Sequence, residues 1–431
     1  MTEPASPGRP PQNPTAAALF HFFDSARLSA ALSTAIIATG FLAFFIRTLI
    51  GWAGLIAILA TLAVLAAAAL AARRDSLEWR GILPLSLLFF IGWSALSIFW
   101  SQYQWSTLGG LAYQAVFAGL AVFVALTRDL IQIVRAVGDV LRVVLMLSLA
   151  LEILSGVLID VPIRFLGISG DIAYFGPIQG VEGTRNQLGL VALLALVTFG
   201  TELLTKSVRR GVGIGSIVTA GATVLLTQSP VSLGVLAVLG VASLTLLGLR
   251  RTTPERRRVW QGAFIAVGVV AFGVLYGARD RLLGIMDASN ELNVRLDVWR
   301  ELGLLITQHT LEGWGWVGTW RPQLSPFYAI RSAPSGEHVS ALNAYIDVWF
   351  QLGLVGLFAF VTLALLAFGR SWILASRKRS RVYVWPALML VTLLTTSLAE
   401  SLALVDFGWM ILVICSVKAA QELSWRHSLP D

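Results

Sequence analysis

The sequence is dominated by long apolar runs separated by short polar connections. The runs approach or exceed the roughly 20 residues that an α-helix needs to cross a bilayer. They cover residues 29–46, 49–72, 82–100, 106–126, 136–158, 186–204, 211–227, 231–249, 259–277, 341–369, 382–398 and 402–420. Inside lipid, a helix satisfies its own backbone hydrogen bonds, whereas an open strand does not. The pattern therefore predicts an all-α fold, a polytopic transmembrane bundle of about twelve helices.

The composition agrees with lipid as the main solvent. Hydrophobic residues make up 56% of the chain and charged residues 13%. Soluble domains have about 45–50% apolar and about 25% charged residues. A chain of this composition has too little polar surface to face water on all sides, so we expect a lipid bilayer around it.

The formal net charge of +8 has to be read together with the position of the basic residues. They form short clusters between the apolar runs, which is a signal of membrane topology, and we expect no nucleic-acid partner. If the N-terminus is cytoplasmic, 23 of the 32 basic residues fall inside and 9 outside. The positive-inside rule then predicts a multi-pass protein of the cytoplasmic membrane with both termini cytoplasmic.

The topology divides the chain into a membrane domain and two tails. We expect cytoplasmic tails at 1–28, which is Pro-rich and disordered, and at 421–431, with the transmembrane domain over 29–420. Two connections on the outer side are long, at 159–185 and 278–340. Polar residues that could perform chemistry on the outer face should lie in or beside these two loops.

The larger outer loop, between the ninth and tenth helices, contains a helical pattern of its own. Apolar residues recur at helical spacing, which predicts a helix lying in the membrane interface or against the bundle. These residues are Leu292, Leu296, Trp299, Leu302 and Ile306.

Several classes of site are disfavoured by the residues present. Cys415 is the single cysteine, so no disulfide forms within the chain. The histidines do not cluster and show no zinc-type spacing. The sequence has neither a Walker A loop nor the paired aspartates of nucleotide-sugar enzymes. We therefore expect no metal site and no cofactor.

Three segments in order along the chain resemble a known family. They are EGTRNQLG at 182–189, NVRLDVWRELGLLITQHTLEGWGW at 293–316 and HVSALNAYIDVWFQLGLVGL at 338–357. Together with the helix number and the large outer loop, they resemble the O-antigen ligase and O-antigen polymerase superfamily of polytopic bacterial membrane glycosyltransferases. The resemblance covers about 90–420.

The resemblance implies a reaction. A glycan carried on undecaprenyl diphosphate is transferred with inversion, without a metal, to an acceptor hydroxyl of a glycan or lipid on the outer face of the membrane. The family's loop arginine in R-x-x-x-W maps onto Arg295. The position of its second arginine is occupied by Pro230, and that of its histidine by Leu342.

Two arginines are the candidates for binding the diphosphate. The planar guanidinium holds two phosphate oxygens and stays charged. Arg295 is one candidate, although it could instead form an i,i+4 pair with Glu291. Arg185, at the start of the sixth helix, is the other, because a helix N-terminus attracts anions. Alternatively, Arg185 is an interfacial arginine whose side chain extends to water and binds no substrate.

The acceptor hydroxyl needs a base, for which His338 and Asp347 are the catalytic candidates. His338 lies four residues before Leu342, so the two would share one face if the tenth helix already includes residue 338. Asp347 could orient His338, bind the acceptor, act as the base, or form a polar contact between helices. Asn343 and Glu400 are candidates for substrate binding.

Two other functions remain open from the sequence. A polymerase that joins lipid-linked repeat units would use the same chemistry. A transporter of a lipid-linked glycan or small molecule is the alternative from another class, and Glu152, within the fifth helix, would be its proton-coupling group.

Overall fold

The computed structural model describes residues 21–74, 83–252, 262, 289–330 and 338–422. Apart from Gly262, the predicted ninth span at 259–277 lies outside these residues. So do most of the predicted N-terminal tail, nearly all of the C-terminal tail and the start of the large loop. The described ranges contain the α-helices α1 (Ala26–Phe41), α2 (Ala43–Ala72), α3 (Leu85–Leu96), α4 (Gln104–Thr127), α5 (Leu130–Ile153), α6 (Arg185–Thr205), α7 (Arg210–Leu226), α8 (Pro230–Arg251), α9 (Ser289–Ile306), α10 (Ala344–Arg377), α11 (Val384–Thr396) and α12 (Asp406–Glu422).

The predicted all-α fold is confirmed for the described residues. They contain no strand, only an isolated bridge between Ile163 and Ile168. Each predicted span within the described ranges corresponds to a helix. The helices that are long and apolar enough to cross a membrane are Ala43–Ala72, Gln104–Thr127, Leu130–Ile159, Arg185–Thr205, Pro230–Arg251 and Ala344–Arg377. The total of about twelve crossings stays a prediction.

The helix ends collect at two opposite ends of the bundle. At one end, which we call the Arg185 end, α10 begins where α11 finishes, and Ala344 N donates to Ser397 O at 2.9 Å. At the other, the Lys378 end, Arg250 donates to Ala375 O at 2.5 Å, and Lys378 pairs with Glu422 at 3.3 Å. The basic clusters around Arg250 and Lys378, both predicted to be cytoplasmic, therefore lie together at the Lys378 end.

Helix α10 is interrupted at Gly353, where the loop after α9 is inserted. Gly353 has φ +67°, and a Cβ there would collide with Leu311 O. The backbone groups freed by the break bond to the loop: Trp314 N donates to Phe350 O at 3.1 Å, and Leu354 N donates to Thr310 O at 2.9 Å. Gly353 therefore has no room for a side chain, whereas the atoms nearest to a Cβ at Gly356 belong to the side chain of Leu352.

The loop helix α9 exists as predicted, but its buried face is rotated from the predicted one. Leu302 and Ile306 are buried, whereas Leu296 is 43% exposed. The buried side instead carries Val298 and, one turn earlier, the charged Arg295. The guanidinium takes an inward position because the bundle offers it acceptors there, as described below.

Candidate functional site

Two adjoining cavities lie at the Arg185 end. The larger, of about 930 Å³, lies between α2, α4, the loop at 316–323 and the start of α12. The smaller, of about 120 Å³, extends toward the connection between α11 and α12. The two cavities share the lining residues Phe44, Arg47, Gly318, Thr319, Val339, Leu404, Val405 and Asp406. The shared lining makes them one continuous candidate site.

The smaller cavity is where the structure gathers the sequence-predicted residues. Asp347 and Glu400 line it directly. His338 precedes Val339, which lines both cavities. Arg295 is one hydrogen bond away, through Glu400. Hydrogen bonds through Glu291 and Arg295 also link Glu400 to Arg185, which is more than 200 positions earlier in the chain.

Arg295 is buried and holds three acceptors. Its Nη2 donates to Glu400 Oε1 at 3.1 Å, and its Nη1 donates to Glu291 Oε2 at 3.3 Å. Its Nε donates to Ala399 O at 3.2 Å. The i,i+4 pair with Glu291 is therefore present, but it is one part of a larger network that ties α9 to the turn after α11.

Arg185 converges on the same carboxylate. Its Nη2 donates to Glu291 Oε1, while Arg295 uses the other oxygen. Burial alone would raise the pKa of Glu291, but the hydrogen bond from Arg185 and the charges of both arginines lower it. Glu291 is thus held ionised between two guanidinium groups, which is an arrangement that binds an anion.

Glu400 lies next to Arg295 and is largely buried, with its side chain 13% exposed. Its Oε1 accepts from Asn186 Nδ2 at 2.6 Å, and Asn186 in turn accepts from Ser229 Oγ at 2.7 Å. Burial raises the pKa of Glu400, against the opposing effect of Arg295. Through Asn186 of α6, Ser229 before α8 and Arg295 of α9, these hydrogen bonds attach three helices to Glu400 in the cavity wall.

Asp347 is at the centre of a buried hydrogen-bond network. Its Oδ1 accepts from Trp320 Nε1 and Gln351 Nε2, both at 2.8 Å, and its Oδ2 accepts from Ala341 N at 3.2 Å. Gln351 also accepts from Val317 N at 2.8 Å. Asp347 therefore fixes the loop wall of the cavity to α10.

The helix that carries Asp347 begins later than the base hypothesis requires. Asn343 is the N-cap of α10, with Oδ1 accepting from Tyr345 N at 2.9 Å, and its Nδ2 donates to Leu398 O at 2.9 Å. Leu342 has φ +51°, in the left-handed region. The argument that His338 and Leu342 share a helical face is wrong, because the asparagine cap starts the helix after both of them.

His338 is half-buried beside the cavity. The neighbouring Val339 O accepts from Trp320 N at 2.9 Å, which fixes this segment against the loop. Burial lowers the pKa of His338, so that its neutral form is favoured. A neutral imidazole is the form that accepts a proton.

Sequence reasoning missed two polar residues that line the site, Arg47 and Tyr113, and one that lies behind its wall, Glu182, which accepts from Gln187. Arg47 lines both cavities, and Tyr113 donates to the carboxylate of Asp406. Glu182 is buried, and burial raises its pKa to about 8. The one available signal for Arg47 was a charge in the short connection between the first two apolar runs.

Within the described ranges, no group of three or more His, Cys, Asp or Glu side chains is arranged to hold a metal ion. The positive charge at the site is supplied by arginine instead. Metal independence of the reaction stays a prediction.

Residues 215–361 match the family model of O-antigen ligase. The resemblance to the O-antigen ligase and polymerase superfamily is confirmed. The matched segment runs from α7 into α10 and contains Arg295, His338, Asn343 and Asp347. The other walls of the candidate site, from α2, α4, α6 and the α11–α12 connection, come from outside the match. Among curated proteins, no match was found.

Proposed function

We propose that the chain transfers a glycan from undecaprenyl diphosphate to an acceptor hydroxyl on the outer face of the cytoplasmic membrane, with inversion. The observation that carries this proposal is the convergence of Arg185 and Arg295 on one carboxylate beside the cavity. Two phosphate oxygens can take the place of the two Glu291 oxygens when the donor binds.

In the proposed reaction, each candidate residue has a separate role. His338 takes the proton of the acceptor hydroxyl as its oxygen forms a bond to the anomeric carbon, and the bond from that carbon to undecaprenyl diphosphate breaks. Arg185 and Arg295 stabilise the charge left on the diphosphate. Glu400 lines the smaller cavity, where it would contact a glycan. The bonds of Asp347 support a positioning role for it, and the bonds of the Asn343 side chain to the start of α10 and to Leu398 O support the same role for Asn343.

A polymerase would use the same groups, so the product distinguishes the two reactions. Purified protein is reconstituted with an undecaprenyl-diphosphate glycan, and the reducing end of the product is analysed. A single transfer to a foreign acceptor identifies a ligase, and a ladder on the same lipid identifies a polymerase. If correctly folded protein transfers glycan neither to a foreign acceptor nor to a second lipid-linked glycan, the proposal is contradicted.

The transporter alternative has less support. Glu152 Oε1 accepts from Gln179 N at 2.7 Å and from Gly180 N at 2.8 Å. These bonds attach the loop before α6 to α5. Oε1 of Glu152 therefore has a structural role, whereas its Oε2 is buried without a hydrogen-bond partner among the described residues.

The orientation in the membrane gives the first prediction. Arg300 is exposed on α9, the loop helix, and Arg379 is exposed at the Lys378 end. An impermeant thiol reagent applied to intact cells should label Arg300→Cys, and should label Arg379→Cys only after permeabilisation. The native Cys415 is buried and serves as the unreactive background. The reverse pattern would put the site in the cytoplasm.

Metal independence gives the second prediction. Because two arginines supply the charge that Mg²⁺ supplies in other phosphate sites, transfer should continue in EDTA at an unchanged rate. The measurement is the transfer rate with EDTA, and with EDTA followed by excess Mg²⁺ or Mn²⁺. A loss that either metal restores would exclude this mechanism.

A further inference from the structure

The larger cavity has a polar end and an apolar end. Its polar end carries Arg47, Tyr113 and Asp406, at the Arg185 end of the bundle. Along α2, which is kinked at Gly51, the lining continues to Ala60. The cavity therefore extends from charged groups to an apolar part formed beyond the kink of α2.

The apolar part is a groove between α2 and α4 that faces lipid. Leu59 and Phe117 form its buried floor, whereas Trp52 and Ile56 at its edge are 49% and 55% exposed. A groove that is open to the hydrocarbon along its length accepts a flexible chain from the membrane without a passage through water. Such a shape fits one long hydrocarbon chain.

Arg47 sits where this groove meets the smaller cavity. Its guanidinium lies 4.8 Å from the ring centre of Trp52 and 5.6 Å from that of Phe44. Among the described residues, these ring contacts are its close contacts, and it forms no ion pair. Arg185 and Arg295, in contrast, are bound to carboxylates.

The neighbouring negative charge does not neutralise this arginine by direct contact. Asp406, which lines both cavities together with Arg47, accepts a hydrogen bond from the Tyr113 hydroxyl and is the first residue of α12. Arg47 lines both cavities, so its hydrogen-bond donors are available to a phosphate bound there.

We propose that the α2–α4 groove binds the hydrocarbon chain of a lipid phosphate and that Arg47 binds the phosphate next to that chain. The inference rests on the proposed function and deepens it. Arg47 holds the phosphate nearer to the lipid, while Arg185 and Arg295 hold the phosphate nearer to the glycan.

The test measures binding of tritiated undecaprenyl phosphate to the full chain in lipid nanodiscs. Arg47→Ala should weaken binding about tenfold to a hundredfold, and Arg47→Lys should weaken it less. Both should bind undecaprenol, which has no phosphate, as well as the unchanged protein does. Arg300→Ala, an exposed arginine of α9, should bind both lipids normally.

The groove has a matched control. Ala60→Phe fills the groove and should weaken binding of both lipids about tenfold or more. Ala57→Phe, on the same helix and also exposed, lies outside the cavity lining and should leave binding unchanged. Inorganic diphosphate should fail to compete at concentrations at which undecaprenyl phosphate competes fully, because it has no chain.

The possible results are decisive in each direction. If Arg47→Ala and Ala60→Phe bind undecaprenyl phosphate normally, the inference is wrong, even if the unchanged protein transfers glycan. If inorganic diphosphate competes as well as the lipid does, the site is for a free anion and the groove assignment is wrong. If lipid binding depends on Arg47 and on the groove but no glycan is transferred, the inference stands and the proposed function fails.

Discussion

Replacing Arg295 by alanine is expected to reduce the transfer rate about tenfold to more than a hundredfold. The loss of one charge-assisted hydrogen bond to phosphate costs about 1.5–3 kcal/mol, which corresponds to that change in rate. Arg295→Lys should retain part of the activity, since a point charge lacks the planar fork. The measurement is the initial rate of transfer by protein of verified fold.

The same substitution also affects stability, and a second variant separates the two effects. Alanine leaves Glu400 buried without its arginine, and breaking a buried ion pair of this kind costs about 3–5 kcal/mol. Combining Arg295→Ala with Glu400→Gln removes the uncompensated charge and should restore much of the thermal stability. It should not restore transfer, because glutamine cannot bind the diphosphate.

A control is available on the same helix. Arg300 is 75% exposed and pairs with Asp297 at 2.9 Å. Arg300→Ala should change neither stability nor transfer. If instead the Arg295→Ala, Glu400→Gln variant recovers full transfer together with stability, Arg295 is a structural residue. The phosphate-binding role proposed for Arg295 is then wrong, although this arginine matches the family's R-x-x-x-W pattern.

Replacing His338 by alanine should lower transfer at least tenfold, and by about 10²–10⁴-fold if it is the general base. The substitution removes the proton acceptor and leaves the arginines in place. Donor binding should therefore be nearly unchanged while the rate of the chemical step falls. Transfer rate and lipid-phosphate binding are measured on the same preparation.

The pH dependence gives an independent signature of the same base. Burial lowers the pKa of His338 below its ordinary value of 6.5. The proton-accepting neutral form then persists to lower pH than in an exposed histidine. Transfer should rise with pH through a midpoint below 6.5 and remain level near neutrality, and His338→Ala should lose this rise.

Asp347→Asn tests the other candidate base. Asp347 accepts hydrogen bonds from Trp320, Gln351 and the Ala341 backbone. An amide group would point a donor at one of these donors, so the variant should lose thermal stability together with activity. A fully stable Asp347→Asn variant without transfer, beside a nearly normal His338→Ala variant, would identify the aspartate as the base.

The helices could be predicted from the sequence because the cost of exposing backbone to lipid acts locally on each apolar run. The sixth run was predicted at 186–204, and α6 spans Arg185–Thr205. The break in α10 could not be predicted, because Gly353 departs from helical geometry only where the loop at 310–315 bonds to it. That contact depends on tertiary structure.

In the site, contacts between residues close in sequence could be predicted, and contacts between distant residues could not. Arg295 and Glu291 share a helix turn, so their pair follows from spacing, whereas the pair of Arg295 with Glu400 joins residues 105 positions apart. The inward rotation of Arg295 on α9 results from that distant partner. Arg47 had no motif around it, and its importance is visible only once α2 and α4 are packed side by side.

The break in α10 also has a consequence for how the protein is made. A helix that is interrupted in the membrane leaves carbonyl and amide groups that lipid cannot satisfy. Here the missing partners are supplied by the loop at 310–315, which precedes α10 in the chain. Synthesis therefore delivers these partners before the broken helix needs them. A circular permutation that placed this loop after α10 would leave the helix to enter the bilayer with exposed backbone.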